Sequence, residues 1–268
     1  MNRIFCLLII AVAFASCSPY QKALKSEDIA VKYDIASKMY DAGKYTKAIR
    51  LFEQIAPSYR GKPAAEKMFY MFGQSYYKTK QHYLAAYQFE SFTSSYPKSE
   101  KAEEAAYLSA ESYSKLSPRY SLDQGETDKA IDKLQTFINN YPNSEFLPKA
   151  NEIVKSLREK LEKKAFENAR QYHTIGGYTR DYSAAIKALD NFIADYPGTP
   201  FKEQALYYRF DSAYILAINS VEYKKKERLN LAKASYATLI KFNASTSYKK
   251  EVDEKLARIE KELQQFSN

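Results

Sequence analysis

The sequence predicts an all-α fold, a solenoid of five helix pairs closed by a C-terminal capping helix, and three observations carry that expectation. Apolar residues recur three, four and seven apart along most of the chain, and no β-rich alternating runs interrupt them. Counting back from Tyr96, offsets of 4, 7 and 11 reach Phe92, Phe89 and Ala85. The same offsets from Tyr59, Tyr141 and Tyr196 reach Ile55, Phe52 and Ala48, then Phe137, Leu134 and Ala130, then Phe192, Leu189 and Ala185. Only 7 glycines occur in 268 residues, which fits an all-helical chain whose core is buried repeat against repeat.

The clearest unit spans residues 66–99. Phe69, Phe72, Gly73 and Tyr76 are followed by Ala85, Phe89, Phe92 and Pro97, the spacing of a tetratricopeptide repeat. Positions three, four and seven apart share one helix face, so the first four residues form a single stripe. Gly73 lets a partner helix come close, Ala85 is the small residue on that partner, and Pro97 stops it.

The elements follow in order from the start of the chain. Arg3 precedes the apolar run Ile4 to Phe14, which is too short to span a bilayer and has the form of a secretory signal. It ends in Phe14-Ala15-Ser16-Cys17, which resembles a bacterial lipobox, so residues 1–16 are expected to be a removed leader and Cys17 the lipidated first residue. Cys6 leaves with the leader, so the mature chain has no internal disulfide. Residues 17–26 read as a lipid-anchored polar tether, residues 27–144 as repeats one to three, and residues 145–268 as a joining helix, repeats four and five and the cap.

Repeat one carries Ile35, Ala36 and Met39 on its first helix, with Gly43 at its turn. Repeat three carries Ala106, Ala110 and Tyr113, but 17 residues separate Tyr113 from Ala130 where nine separate Tyr76 from Ala85. The surplus lies in Ser117 to Gly125, a surface insertion of the kind that often carries contacts. From about Glu145 to His173, Leu147, Ala150, Val154, Leu157, Leu161, Ala165, Ala169 and Tyr172 keep helical spacing, which predicts one joining helix of about 40 Å. Gly176 and Gly177 are expected to break it, Asp181 to Asp195 to form the next helix, and Thr199-Pro200 to cap the one after. Tyr207, Phe210 and Tyr214 open repeat five, whose turn also reads as long and contains Lys224, Lys225 and Lys226. Val252, Leu256, Ile259, Leu263 and Phe266 mark the capping helix.

No active site assembles in this pattern, so an enzyme is not expected. His82 and His173 are the only histidines, neither has a second ligand at metal spacing, and both read as solvated residues in turns. No phosphate-cradling glycine loop appears, and no cofactor or metal is implied. Acidic residues interleave with lysines, as Glu159 does with Lys163, in the pattern of exposed helix faces. Loss of Arg3 with the leader lowers the net charge from +9 to +8. Export argues against nucleic acid, leaving acidic protein surfaces or anionic headgroups as partners for that charge.

The chain has 25 tyrosines and no tryptophan, and their placement suggests binding. One position beside each core stripe is Tyr33, Tyr70, Tyr107, Phe166 and Tyr208 in the five repeats, with Tyr40 and Tyr77 alongside it. Such a flank either pads the seams between repeats or lines a groove. With Lys67, Gln74 and Lys78 among them, Tyr33, Tyr40, Tyr70, Tyr77 and Tyr107 are expected to form a peptide-binding groove. Lys224, Lys225, Lys226 and Arg228 are expected to dock a partner.

The lipobox, five helix pairs, an enlarged third turn and Tyr-Pro-x-Ser/Thr closing the middle repeats (Tyr96 to Ser99, Tyr141 to Ser144, Tyr196 to Thr199) together resemble the BamD family of outer-membrane β-barrel assembly lipoproteins. That resemblance covers the mature chain. It implies a periplasm-facing, non-enzymatic scaffold whose first repeats hold targeting segments of unfolded outer-membrane proteins. Its second half then docks the POTRA domain of the barrel insertase, and the membrane is reached through the N-terminal lipid. A lipid-anchored pilot or scaffold for secretin, pilus or cell-wall assembly shares the same features and is the alternative.

Overall fold

The computed structural model describes residues 18–266, so the expected leader and the lipidation residue Cys17 lie outside the described residues. Helices α1 to α12 run Pro19–Lys25, Ile29–Asp41, Tyr45–Tyr59, Ala65–Lys78, His82–Ser95, Ala102–Ser114, Gly125–Asn140, Leu147–Thr179, Ser183–Asp195, Lys202–Ile218, Glu222–Phe242 and Lys249–Gln264. The described residues contain no strand. Helices α2 to α11 are five tetratricopeptide-type pairs and α12 is the closing helix, the fold class expected from the spacing.

Two compact units divide the chain. One holds the residues up to Pro118 together with Gln124–Lys155, and the other holds Arg119–Asp123 and the residues from Ser156 onward. The division falls inside α8, between Lys155 and Ser156, eleven residues later than the sequence suggested. Phe146 stacks on Tyr107 at 4.7 Å and Ala150 and Val154 are buried, so the start of α8 completes the first unit's core.

In the first unit the repeat stripe is the core. Phe52, Phe89 and Phe92 are almost fully buried, and the Phe52 and Phe72 rings meet at 5.7 Å across the boundary of repeats one and two. A Cβ built on Gly73 would lie 2.8 Å from Phe89 Cε1, so only glycine lets α4 and α5 approach this closely. The tyrosines that end the stripes of repeats two and three also tie the repeats together. Tyr76 donates to Glu53 on α3 at 2.9 Å, and 37 residues later Tyr113 donates to Glu90 on α5 at 2.9 Å. Burial first, then these carboxylates, push Tyr113 up to about 12 and Tyr76 higher still.

From Ser18 onward the polar tether is folded. Ser18 caps α1, accepting from Gln21 N at 3.3 Å, and Tyr20 and Ala23 are buried against α2 and α3. Polar composition concealed this because two apolar residues one turn apart suffice to dock a helix of seven residues.

The second unit corrects three expectations. Gly176 and Gly177 do not break α8, which runs to Thr179. A Cβ on Gly176 would meet the Tyr182 ring at 2.8 Å, so that glycine serves a close contact, and the helix instead ends at Arg180, whose φ is 59°. Thr199 does not cap α10. Its Oγ1 accepts from Phe201 N at 3.3 Å in the preceding turn, and the helix starts at Lys202. The long fifth turn is helix, because α10 continues to Ile218 and α11 begins at Glu222, so Lys224 to Arg228 lie on the first turns of α11. Phe166 and Ala169 of α8 pack with Leu189, Phe192 and Ala205, while Phe210, Leu229, Leu239, Val252 and Ile259 join α10, α11 and α12 in a second cluster.

Candidate functional site

The end of α2, the start of α4, Phe92 of α5 and Lys101 before α6 line a cleft in the first unit, of about 450 Å3. Its floor is Met71 and Phe92, both buried, and its walls are the half-buried rings of Tyr40 and Tyr70. Four charges surround it: Asp41 and Glu66 against Lys67 and Lys101. The helical period explains the assembly, because Lys67, Tyr70 and Met71 lie three and four apart on α4, while Asp41 ends α2 and Lys101 precedes α6.

Two of the charges are already engaged. Ser99 Oγ donates to Glu66 at 2.6 Å, and Lys101 pairs with Glu104 at 2.9 Å while standing 5.5 Å over the Tyr70 ring. Tyr70 packs against Phe89 and Phe92, accepts from Gln74 Nε2 at 2.8 Å and donates to Glu104. Burial pushes the Tyr70 hydroxyl far above its ordinary value, with Glu104 adding to it. Glu104 responds in reverse. Burial raises its carboxyl, but hydrogen bonds from Lys101 and Tyr70 outweigh that and hold it below the usual range. Lys67 remains exposed at the mouth. An apolar floor, flat ring walls and an exposed ammonium suit an extended peptide bearing an aromatic side chain and a carboxylate.

The other expected groove residues are placed differently. Gln74, Tyr77 and Lys78 continue along α4: Gln74 is buried beneath Tyr70, Lys78 is exposed, and Tyr77 donates to Glu111 on α6 at 2.9 Å. Burial, reinforced by Glu111, pushes Tyr77 up to about 12. Tyr33 turns away to stack on Tyr59 at 5.1 Å, and Tyr107 is buried against Phe137 and Phe146. Both are seam residues, because each finds a ring on a neighbouring element. Sequence reasoning missed Met71, Phe92, Lys101 and the acids, although a signal existed. Lys101, Glu104 and Glu111 each follow Lys67, Tyr70 and Tyr77 by 34 residues.

In the second unit the expected docking cations divide. Lys225 pairs with Glu262 of α12 at 2.7 Å, both side chains largely covered, and Arg228 donates to Ser220 Oγ at 2.8 Å. Lys224 and Lys226 stay exposed. Beside them stand apolar residues that the spacing did not single out: Val221 and Tyr223 at the start of α11, with Tyr223 81% exposed. Ile175 and Tyr178 are exposed at the end of α8, Tyr178 by 86%. The next turn belongs to the same end of the unit. Bonds from Ser183 chiefly hold Asp181 below the usual carboxylate range, and Arg228 of α11 contributes.

His173 is no solvated turn residue, since it lies within α8 and half-buried. Its Nδ1 lies 2.9 Å from Ser212 Oγ and its Nε2 3.4 Å from Asp211, which Lys255 holds at 2.5 Å. This trio resembles a hydrolytic arrangement only in composition, because Ser212 is fully buried and Asp211 is neutralised by Lys255. His82 opens α5, its Nδ1 buried. Among the described residues no group of His, Cys, Asp and Glu can hold a metal, and no helix is long and apolar enough to cross a membrane.

No curated protein matches the chain. Among solved structures, similarity extends to the putative kinesin light chain with nearly identical TPR-like repeats from Podosopora anserina and to a single-substitution variant of it. Both are 17% identical with a TM-score of 0.31, the first covering 80% of this chain and 98% of its own and the variant 78% and 95%. The YfiO family model, described as outer membrane lipoprotein, matches residues 26–179 and 171–266. With nearly every described residue inside those two matches, the chain belongs to the YfiO family of outer membrane lipoproteins.

Proposed function

We propose that the chain is a non-enzymatic assembly scaffold, anchored in the outer membrane by lipid on Cys17 and facing the periplasm. Its first unit holds aromatic targeting segments of unfolded outer-membrane proteins, and its second unit docks the POTRA domain of the barrel insertase, as in the BamD lipoproteins it resembles. The observation that carries this reading is the cleft between Tyr40 and Tyr70, with Lys67 at its mouth. An extended peptide ending in an aromatic residue matches the rings, and its terminal carboxylate matches the ammonium. For the second unit, the exposed Tyr178 and Tyr223 beside Lys224 and Lys226 combine aromatic anchors with a positive rim.

The test is titration of a fluorescent peptide copying the C-terminal strand of a barrel protein, with its terminus free or amidated. Lys67→Glu is expected to weaken the free-carboxylate peptide about tenfold, equivalent to about 1.4 kcal/mol, and the amidated one little. Lys67 is exposed, so the fold tolerates the change. Equal affinity of both proteins for the free-carboxylate peptide removes the cleft from the binding site.

A further inference from the structure

The described fold starts at Ser18, the residue bonded to Cys17, which alters what a lipid there does. α1 starts at Pro19 with Ser18 as its cap, and consecutive Cα atoms are only about 3.8 Å apart. α1 is fixed to repeat one on two sides. Tyr20 and Ala23 are 7% and 0% exposed, and Lys47 of α3 lies 5.2 Å over the Tyr20 ring. Its far end is pinned too. Asp28 N donates to Ser26 Oγ at 3.1 Å, and the Asp28 carboxylate accepts from Ala30 N at 2.8 Å to start α2. A lipid on Cys17 therefore connects to repeat one with no slack.

The charge at this end is one-sided. Tyr20 and Ala23 define the docked face of α1, so at 100° per residue Lys22 and Lys25 fall on the opposite side, exposed. Lys44, Lys47 and Arg50 follow at intervals of three along the start of α3, beside α1, and are exposed as well. Glu27, Asp28 and Asp41 are the acids nearest in the chain, against five cations, and Asp28 is committed to capping α2. The seven residues of α1 span about 10 Å, close to the Debye length of about 8 Å in physiological salt. Charges on α1 thus stay within range of headgroups at the lipid.

We propose that repeat one rests directly on an anionic phospholipid surface, with α1 as a rigid stirrup and Lys22, Lys25, Lys44 and Lys47 as the contact. This rests on the reading of Cys17 as the lipidated residue. It replaces a swinging tether with a fixed height and orientation of the first repeat above the bilayer.

The mature chain has a single cysteine, since Cys6 falls in the leader, so Cys17 can be coupled to a maleimide phospholipid in vesicles without cellular lipidation. Lysine acylation read by mass spectrometry then compares neutral phosphatidylcholine vesicles with vesicles of about 30% phosphatidylglycerol. Acylation of Lys22, Lys25, Lys44 and Lys47 is expected to slow roughly fivefold on the anionic vesicles, with exposed Lys98 in the turn after α5 unchanged, and to recover in high salt. Tyr20→Asp, which undocks α1 but keeps the coupling site, is expected to restore labelling of Lys44 and Lys47. Equal labelling on both vesicle types overturns the proposal, as does unchanged protection in Tyr20→Asp. Expression of Cys17→Ser in cells reports separately on lipidation. A variant that stays membrane-bound and mature sinks the lipidation reading, whatever the vesicles show.

Discussion

Gly73→Ala opposes two effects of known size. In an isolated helix the change stabilises by about 1 kcal/mol, because glycine loses more backbone entropy. Here the new methyl carbon would stand 2.8 Å from Phe89 Cε1 and 2.9 Å from Cδ1, where carbon contacts favour about 3.5–4.0 Å. Phe89 must retreat by close to 1 Å, yet it is fully buried and packed beneath Tyr70. Overpacking of that kind costs about 1–3 kcal/mol, so the net loss is about 1 kcal/mol, or a Tm lower by about 2–4 °C. Gly177→Ala supplies the control. Its Cβ would meet only the Tyr182 hydroxyl at an ordinary 3.6 Å, so the propensity gain survives and Tm should rise. Thermal and urea unfolding by circular dichroism measure both, and Phe89→Leu combined with Gly73→Ala should lose less than the sum of the single changes. A Gly73→Ala protein as stabilised as Gly177→Ala would refute the claim that glycine is required at this crossing.

Tyr76→Phe deletes the bond to Glu53 across the repeat boundary and should cost about 1 kcal/mol in urea unfolding, with α4 helicity unchanged. Tyr77 and Tyr113, both pushed up to about 12 from an ordinary 10.0, bind their protons more tightly folded than unfolded. Their contribution is therefore complete below pH 10 and lost as pH rises toward 12, so the urea midpoint should fall between pH 10 and 12, less steeply in Tyr77→Phe with Tyr113→Phe. His173 is lowered below its ordinary 6.5 chiefly by burial, with Lys255 and Arg170 adding and Asp211 opposing, so the unfolded chain binds its proton first. Stability should decline as pH falls from about 6.5, and His173→Gln should flatten that decline in pH-dependent melts. Tyr178→Ser with Tyr223→Ser should weaken capture of a POTRA-domain protein from solubilised membranes by tenfold or more while Tm holds, since both rings are exposed.

The repeat frame was legible because burial enforces it. Phe69, Phe72, Gly73, Tyr76, Ala85, Phe89 and Phe92 are all buried, so large apolar and small residues at that spacing mark where two helices pack. Elements that obey weaker rules were harder to read. The lysine-rich stretch around Lys224 looked like a turn, yet it contains no breaker, and α11 runs through it. A glycine inside a helix costs only about 1 kcal/mol, so Gly176 and Gly177 could not end α8 against the packing of Tyr182. The groove was half legible. A tyrosine at a helix flank serves equally as surface and as seam, and only its neighbours decide. Tyr40 and Tyr70 face the cleft, whereas Tyr107 found Phe146 in an element whose position no local spacing encodes. The polar cluster of His173, Asp211 and Lys255 lies beyond such reasoning, because its members come from three helices 38 and 44 residues apart.

The bonds from Tyr76 to Glu53 and from Tyr113 to Glu90 set where this chain can be recombined. Each joins the second helix of one sequence repeat to the first helix of the next, so the unit of exchange is out of phase with the repeated motif by one helix. A graft cut at the motif boundary, between α3 and α4 or between α5 and α6, separates a tyrosine from its carboxylate. Crossovers placed in the turns inside a pair, at Gly43 or at Lys80, carry both partners together. Chimaeras of related chains built on those seams inherit intact couplings, and libraries cut at these two motif boundaries discard one at each.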